Sequence, residues 1–428
     1  MLRTLLLILC CSTHLLAQQQ PHAFTNALIY PITGDPIENG VLVVHEGKII
    51  AIGAATDVTL PGNAVVHDMA GKQIMPGMVD THSHLGVTDL GGDASAAIHP
   101  EVRIIDSIEP TADSFMRALS GGITTLNVMP GSGHLMSGQT VYIKMREGKT
   151  IDDLTFCGDV QNEVCGGMKM ANGTNSLQGP PNFPGTRAKS ASMVREEFIK
   201  AQEYQRKVAA AKGDVAKLPA RDLRMEGLVD ILEGRRVVHF HTHKQNDIMT
   251  AIRLSKEFNF KLVLQHVSEA WMVADEIAAA GVPASIIMPD APGGKMEMIN
   301  NYHQNGSILD RAGVDVAFHT DDWITDSRLF IRLAGLAVRE GMSKDKALEA
   351  LTLAGARMME LQDRVGSLEV GKDADFIILS GDPLSVYTHI EETWVEGVKR
   401  FDRSIPEDRA FATGGYRVYL PNAMTHIH

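Results

Sequence analysis

The segment Asp80-Thr81-His82-Ser83-His84 places two imidazoles two residues apart, directly after the apolar residues 75–79. In an extended chain, residues i and i+2 point the same way, so both imidazoles can face one ion. A His-x-His pair alone is a weak signal, and its position after a buried strand strengthens it. The pair predicts two ligands of a divalent metal ion.

Later apolar segments also end in residue types that bind such ions, namely His241, His266 and Asp321. Each has an ordinary alternative, because a histidine at a strand end is often only hydrogen-bonded and an aspartate there often caps a helix. Their occurrence together at several strand ends favours a shared site. Neutral imidazole and carboxylate suit Zn²⁺ and related ions.

Eight short apolar segments between residues 77 and 319 alternate with mostly helix-prone stretches; they are 77–82, 123–129, 141–145, 167–171, 237–241, 262–266, 284–288 and 314–319. This alternation predicts an α/β fold with a parallel sheet, and eight strands suit a closed (β/α)8 TIM-like barrel. The periodicity alone leaves a doubly wound sheet open. In a barrel, the carboxyl ends of the strands build the active site.

Short β-rich runs separated by Gly, Pro and Asn occur at both ends of the chain, in residues 24–74 and 376–398. We expect the two sets to pair into one small β-sandwich. The predicted organisation is residues 1–17 as a signal peptide, 18–74 as the N-terminal part of the sandwich, 75–364 as the barrel, and 365–428 as its C-terminal part and tail.

The first residues have the pattern of a secretory signal peptide, with Arg3, an apolar run over 5–16, and the small residue Ala17. A buried helix or a membrane anchor is the alternative, although the run is shorter than the ~20 residues that span a bilayer. We therefore predict export to the periplasm or the extracellular medium.

The composition is globular, with 44% hydrophobic and 21% charged residues. Removal of residues 1–17 removes the charge of Arg3 and takes the net charge from -12 to -13. This charge argues against nucleic acid and anionic membranes as partners. Cys157 and Cys165 alone remain after cleavage; their spacing does not fit a zinc ribbon, and they could bridge in an oxidising compartment.

Residues 76–84 resemble the first-strand signature of the amidohydrolase superfamily, particularly its imidazolonepropionase-related branch. Further segments agree in the family's order, among them Gly121-Gly122-Ile123-Thr124-Thr125, Leu264-Gln265-His266 and residues 366–375. The resemblance covers nearly the whole mature chain. It implies a barrel flanked by a small β-sandwich from both termini.

The resemblance also implies metal ligands and a general base. Many members bridge two ions with a lysine, carboxylated on its amine, at the end of the fourth strand; Lys169 is the candidate here and Lys144 the alternative. Asp321 is expected to act also as the general base. The implied cofactor is Zn²⁺ or a similar divalent ion, one or two per chain, and the implied ligands are His82, His84, Lys169, His241, His266 and Asp321.

In the loop after Lys169, the sequence differs from the motif that is usual in this branch. The branch usually shows Gly-Glu-Asn-Pro, whereas this chain has Gly173-Thr174-Asn175-Ser176. The acidic group of the motif, and any substrate contact that it makes, is therefore absent from this loop.

The fifth strand offers His239, His241 and His243, whose alternation leaves the register open by two residues. His241 fits the resemblance best, and His243 is expected to face the substrate. His134, in the loop after the second strand, is a second candidate for substrate contact.

These features predict a metal-dependent hydrolase that cleaves a non-ester C–N bond of a small molecule, such as an amide, a dipeptide, an N-acyl amino acid or a cyclic amide. A bound divalent ion lowers the pKa of water to about 7, and Asp321 would carry the proton to the leaving nitrogen. A homo-oligomer is common in the family.

Two other hypotheses stay open. In a mononuclear cyclic-amide hydrolase or deaminase, His266 would act in proton transfer; deamination is disfavoured because no acid follows His243 until Asp247. The chain could instead be a non-catalytic metal-binding or support subunit.

Overall fold

The computed structural model describes residues 20–89, 92–289, 295–322 and 324–413, so the predicted signal peptide lies outside the described residues. The strands are β1 (His22–Ile29), β2 (Ile37–His45), β3 (Lys48–Ala54), β4 (Val65–Asp68), β5 (Gln73–Pro76), β6 (Met78–Ser83), β7 (Ile123–Val128), β8 (Met136–Gln139), β9 (Val141–Lys144), β10 (Met168–Ala171), β11 (Val238–Thr242), β12 (Leu262–His266), β13 (Ala284–Ile286), β14 (Val316–Phe318), β15 (Phe376–Leu379), β16 (Ile390–Val395) and β17 (Val398–Asp402).

The helices lie mostly between the barrel strands. They are α1 (Asp113–Ser120), α2 (Ile151–Leu154), α3 (Arg187–Ala211), α4 (Leu223–Leu232), α5 (Gln245–Phe258), α6 (Ala274–Ala280), α7 (Asn305–Arg311), α8 (Arg332–Arg339), α9 (Lys344–Ala350), α10 (Leu353–Met358) and α11 (Pro406–Thr413). Within the described ranges, no helix has both the length and the apolar composition to cross a membrane.

Strands from both ends of the chain form one sheet in the order β17-β16-β15-β5-β1-β2-β3, with β4 pairing with β1. We call β1–β5 and β15–β17 the terminal sheet. Phe24 of β1 contacts Phe376 of β15 and Trp394 of β16, with ring centroids 4.9 and 5.1 Å away. Because aromatic rings from distant segments share this core, neither set of strands could bury its apolar face alone.

Not every β-rich run of the C-terminal part is a strand. Residues 386–389 resemble a strand in sequence but do not form one; 386 and 387 lie in a turn, and Tyr387 is exposed. Asp382 explains the difference, because its carboxylate accepts from the amide of Leu384 at 2.9 Å and its carbonyl from the hydroxyl of Thr388 at 2.6 Å. Local bonds of this kind compete with strand pairing.

The central strands form the predicted barrel. β6 pairs with β7 in parallel, and β10 to β14 form a continuous parallel set. The end of the last barrel strand, β14, closes on the first, β6. The amide of Asp321 donates to the carbonyl of His82 at 3.0 Å, and Ser83 and Asp322 form an isolated parallel β-bridge. This closure places the carboxyl ends of β6 and β14 side by side.

The third barrel strand, formed by β8 and β9, runs opposite to its neighbours. β9 is antiparallel to β7 and β8 is antiparallel to β10, and the amide of Thr140 donates to Gly167 at 2.9 Å. The expectation of an entirely parallel sheet was therefore wrong at this strand. The link from β7 to β8 contains Gly131 and Gly133 and is too short for the helical crossover that a parallel strand requires.

Helix α3 shows how the barrel is covered. Val194, Phe198 and Ala201 recur at helical spacing and are buried, and the ring of Phe198 lies 5.0 Å from that of Phe258 in α5. The side chain of Thr186 caps the helix by accepting from the amide of Lys189. The apolar face of α3 thus packs on the barrel, and truncation of Phe198 should cost about 3–5 kcal/mol of stability.

Candidate active site

The six predicted metal-site residues converge at the carboxyl ends of the barrel strands. The structure places His82 on β6, His84 just after it, Lys169 on β10, His241 on β11, His266 at the end of β12 and Asp321 after β14. The imidazole of His266 lies 4.6 Å from that of His82 and 4.5 Å from that of His241, measured between ring centroids. Strands that are distant in sequence thus supply one compact cluster.

His82, His84 and Asp321 form one group of potential ligands. The carboxylate oxygen Oδ1 of Asp321 lies 3.1 Å from Nε2 of His84 and 3.5 Å from Nε2 of His82. His84 is oriented by its Nδ1, which lies 2.8 Å from the carbonyl oxygen of Met129 and therefore donates to it. This bond directs Nε2 of His84 towards the carboxylate.

Asp80 and Thr320 hold this group in place. The carboxylate of Asp80 accepts from the hydroxyl of Thr320 at 2.5 Å and from the amides of Thr320 and His82 at 3.1 and 3.2 Å. Burial raises the pKa of Asp80 to about 7, against the effect of these bonds. Asp321 takes a left-handed backbone conformation, with φ of 47°, and its amide donates to His82 at 3.0 Å, so closure of the barrel defines its position.

Lys169 lies inside this cluster, whereas Lys144 lies outside it. Nζ of Lys169 is 3.0 Å from Nε2 of His82 and 3.1 Å from the sulfur of Met129. Burial lowers the pKa of Lys169 to about 7, partly opposed by Asp321. Lys144 is instead bound to Asp373 and Asp375. The geometry therefore favours Lys169 as the bridging lysine, a role that stays a prediction.

The structure assigns different surroundings to the three histidines of the fifth strand. His239 is bonded to the hydroxyl of Tyr142 at 2.9 Å and to the amide of Gln265 at 3.2 Å, which takes it out of the site. Both ring nitrogens of His241 are buried without a partner. His243 bonds Ser268 through Nδ1 at 2.8 Å and leaves a buried Nε2 unpartnered. His241 and His243 both belong to the site.

His319 was missed as a functional residue, although it is the last residue of the predicted barrel segment 314–319. Its Nε2 is 2.9 Å from Nδ1 of His266, and its Nδ1 is 2.8 Å from the hydroxyl of Ser285. The bond orients His266, whose Nε2 is buried and unpartnered. His319 thus supports His266 in the way that outer hydrogen bonds orient metal-binding histidines.

Glu297 is a second residue that sequence reasoning missed. It lies in a short helical turn after β13, is buried, and accepts from the amide of Thr174 at 2.9 Å through Oε2, while Oε1 has no partner. One ligand atom from each of His241, His243 and Glu297 lies within 4.8 Å of the others. Glu297 lies away from any strand end, so no pattern in the sequence marked it as a site residue.

His134, the other predicted substrate contact, lies in a packing cluster. Its Nε2 is 2.9 Å from the carbonyl oxygen of Asp93, and its ring lies 5.2 Å from Phe183 and 5.9 Å from His99. These contacts hold the loop after β6 against the loop after β7. A role in substrate contact stays a prediction.

The chemistry of this donor set fits a divalent metal ion. Burial lowers the pKa values of His82, His241 and His266 well below the ordinary histidine value, so these imidazoles are neutral and can act as ligands. Burial raises the pKa of Asp321, but the hydrogen bond and charge of His84, together with the charges of His319 and Lys169, outweigh it and hold the pKa below its usual range. Unpartnered ring nitrogens beside an ionised carboxylate are what a metal site requires.

Known proteins resemble the chain over most of its length. Residues 206–400 match the sequence model described as "Amidohydrolase family". Amidohydrolase tasK of Hapsidospora irregularis is 25% identical over 90% of this chain, which spans only 43% of that protein. Imidazolonepropionase of Sphingopyxis alaskensis is 24% identical over 87% of this chain and 95% of its own length.

Solved structures show the same fold. An adenosine deaminase from Xanthomonas campestris, with bound zinc, has a TM-score of 0.53 at 20% identity and covers 92% of this chain and 97% of its own. An amidohydrolase from Thermotoga maritima has a TM-score of 0.82 at 30% identity and covers 89% of this chain and 100% of its own. The chain therefore belongs to the amidohydrolase superfamily, in its imidazolonepropionase-related branch.

Proposed function

We propose that the chain is a metal-dependent hydrolase that cleaves a non-ester C–N bond in a small molecule, such as an amide, a dipeptide, an N-acyl amino acid or a cyclic amide. One observation carries the proposal: neutral histidines, several with buried and unpartnered ring nitrogens, and an ionised carboxylate converge at the carboxyl ends of the barrel strands. The enzymes named among the relatives, imidazolonepropionases and a deaminase, support it.

The proposed ion is Zn²⁺ or a similar divalent cation, held by the six predicted ligands. Such an ion acidifies a water molecule and polarises a carbonyl oxygen. Asp321 is placed to receive the proton: Oδ1 is engaged by His84 at 3.1 Å, while Oδ2 is 3.9 Å from Nδ1 of His266. The carboxylate can then deliver that proton to the leaving nitrogen.

Lys169 is proposed as the bridging group, because a neutral amine is required for carboxylation and the pKa of this amine is lowered to about 7 by burial. His243 is proposed to contact the substrate, since its Nε2 is unpartnered. His266 serves as a ligand if two ions bind and as a proton carrier if only one does.

The test is metal analysis of the purified protein together with turnover on matched panels of amides, dipeptides, N-acyl amino acids, cyclic amides and esters. We expect one or two equivalents of metal, loss of turnover after chelation, and recovery on readdition. Turnover on esters alone would contradict the proposal. Metal without turnover on any panel would favour the non-catalytic hypothesis.

Deamination is the second candidate function. This reaction is expected to use an acidic residue soon after the fifth strand. Asp247 is the first acid there, but its carboxylate is paired with Arg187 at 2.9 Å and is not free to act. Glu297, beside His243, is a buried carboxylate that could carry protons instead. Release of ammonia from an aminated heterocycle, with a carbonyl left in its place, would identify this reaction.

We further propose export to the periplasm or the medium, with residues 1–17 removed. Cys157 and Cys165 support it, because they are disulfide-bonded, and structural disulfides are typical of oxidising compartments. An N-terminus at Gln18 in protein recovered from a periplasmic or medium fraction is expected; a retained leader in the cytosol would contradict it. The same preparation tests for a homo-oligomer by light scattering.

A further inference from the structure

A row of polar side chains leads from the candidate metal site into the interior of the barrel. Its members lie on four strands, and we call them the polar row: His82 on β6, Gln265 on β12, His239 on β11 and Tyr142 on β9. The first three are fully buried and Tyr142 is nearly so. Branched apolar side chains usually fill the interior of a barrel. Polar groups buried there therefore need hydrogen-bond partners.

The members of the polar row are one another's partners. Nδ1 of His82 lies 3.4 Å from Oε1 of Gln265, and Nε2 of Gln265 lies 3.2 Å from Nδ1 of His239. Nε2 of His239 lies 2.9 Å from the hydroxyl of Tyr142. His239 pairs with no carboxylate in the described ranges, so its buried ring is neutral and carries a single proton. The row is thus continuous from His82 to Tyr142.

The metal role proposed for His82 fixes the direction of each hydrogen bond in the row. Nε2 of His82 faces the site, 3.5 Å from Oδ1 of Asp321, and is the nitrogen that would hold the ion. The proton of this ring is then on Nδ1, which donates to the side-chain oxygen of Gln265. The amide nitrogen of Gln265 donates to Nδ1 of His239. His239 therefore carries its proton on Nε2 and donates it to Tyr142.

Gln265 is the link that determines this direction. Among side chains of its size, only an amide offers an acceptor to one histidine and a donor to the other. Leucine at this position would leave Nδ1 of His82 buried without an acceptor. Glutamate would keep an acceptor for His82, but it would also require a proton on Nδ1 of His239 and so reverse the bond to Tyr142. The two substitutions therefore have different expected effects.

We propose that Gln265, His239 and Tyr142 are positioning residues, which hold His82 in the tautomer and the ring orientation that present Nε2 to the metal ion. They act through His82 and are not themselves ligands. This role accounts for the third histidine of the fifth strand, which is bonded away from the site. It deepens the proposed function, since it rests on the metal dependence proposed there.

The experiment is a titration of the chelated, full-length protein with Co²⁺ alone, followed by its visible absorption. Gln265→Leu should weaken Co²⁺ binding about 10–100-fold, the usual effect of removing the partner of a metal-binding histidine. His239→Leu should have a smaller effect and Tyr142→Phe a smaller one still, because they lie further along the row. Gln265→Glu should bind Co²⁺ at least as tightly as the wild type.

Two further measurements separate positioning from a merely structural role. Thermal unfolding in chelator reports whether each variant is folded before metal is added. Thr393→Val is the matched control, because it removes a buried hydrogen bond in the terminal sheet, to the carbonyl of Leu119, and should leave Co²⁺ affinity unchanged. Imidazole ¹⁵N chemical shifts of the Zn²⁺-loaded protein should show His239 protonated on Nε2 in the wild type and on Nδ1 in Gln265→Glu.

Other outcomes overturn the inference in distinguishable ways. Wild-type Co²⁺ affinity in folded Gln265→Leu would overturn it and leave the proposed hydrolase intact. If Gln265→Leu is unfolded in chelator, His239→Leu takes its place, and wild-type affinity in that variant has the same meaning. Equal losses of affinity in Gln265→Leu and Gln265→Glu would also overturn it, because an acceptor for His82 would then not matter. No Co²⁺ bound by the wild type would overturn the metal dependence itself and the inference with it.

Discussion

Two fully buried lysines, Lys144 on β9 and Lys169 on β10, lie in contrasting surroundings. Lys144 binds Asp373 and is 3.0 Å from Asp375 and 3.3 Å from Glu396, all in the C-terminal part of the chain. Lys169 contacts a histidine and a methionine sulfur, and no carboxylate lies within ion-pair distance in the described ranges.

The partners decide what each lysine can do. The carboxylates around Lys144 replace the water that an ammonium loses on burial, so this region, which we call the junction, joins the barrel to the terminal sheet. Lys169 has no carboxylate within ion-pair distance in the described ranges, Asp321 compensates its charge only in part, and burial lowers its pKa to about 7. Burial alone therefore does not identify a functional lysine, whereas burial without a counter-charge next to histidines does.

The largest expected effect is on kcat, and it distinguishes an aspartate of the active site from an aspartate of the junction. Asp321→Asn should lower kcat about 10²–10⁴-fold, because it removes the proton carrier, and should retain both the fold and bound metal. Steady-state kinetics with elemental analysis measures this. Asp373→Asn is the control and should change stability rather than kcat; near-normal turnover of Asp321→Asn would refute the role of Asp321.

The junction itself is tested by Lys144→Met. Removal of the ammonium leaves Asp373, Asp375 and Glu396 without their shared partner, so the free energy of unfolding should fall by about 3–5 kcal/mol. Denaturant unfolding measures this change. Metal content should be unchanged, and a loss of metal in this variant would mean that Lys144 acts in the site after all.

Lys169→Ala should change metal content rather than stability, the reverse of what we expect for Lys144→Met. If Lys169 bridges two ions, bound metal falls from two equivalents to one or fewer, while the free energy of unfolding changes much less than in Lys144→Met. Elemental analysis of both variants, purified in parallel, makes the comparison. Metal content equal to that of the wild type would end the assignment of Lys169 as the bridge.

The smallest effect concerns acid stability. Burial raises the pKa of Asp373, but Lys144, with Lys48 and Arg364, outweighs it and lowers the pKa from 3.8 to about 2. Because the folded-state pKa is depressed, Asp373 contributes stability above pH ~4 that is lost as the pH falls towards 2, about 2 kcal/mol in all. Burial raises the pKa of Asp375, which works in the opposite direction.

Unfolding of wild type and Asp373→Asn, measured from pH 5 to pH 2, isolates this contribution. Between pH 5 and pH 2, the free energy of unfolding should fall by about 2 kcal/mol more in the wild type than in the variant. Parallel curves for the two proteins would show that the cations around Asp373 do not hold it ionised.

Several features of the site were predictable from local sequence. The i, i+2 spacing of His82 and His84 predicts a shared direction, and strand ends identify His241, His266 and Asp321 because barrel sites form there. The barrel and its fusion with strands from both termini were also confirmed. These inferences succeed because hydrophobic periodicity and strand alternation are short-range properties.

Other features required the tertiary structure. The choice between Lys144 and Lys169 depends on carboxylates more than 200 residues away in sequence, and the roles of His239, His241 and His243 depend on Tyr142, Gln265 and Ser268. Glu297 lies in a loop with no periodic pattern, and the antiparallel third strand follows from a short connection. Sequence pattern determines which face of an element is buried; only packing between distant elements determines which polar groups meet there, since electrostatic and hydrogen-bonding partners are set by distance in space.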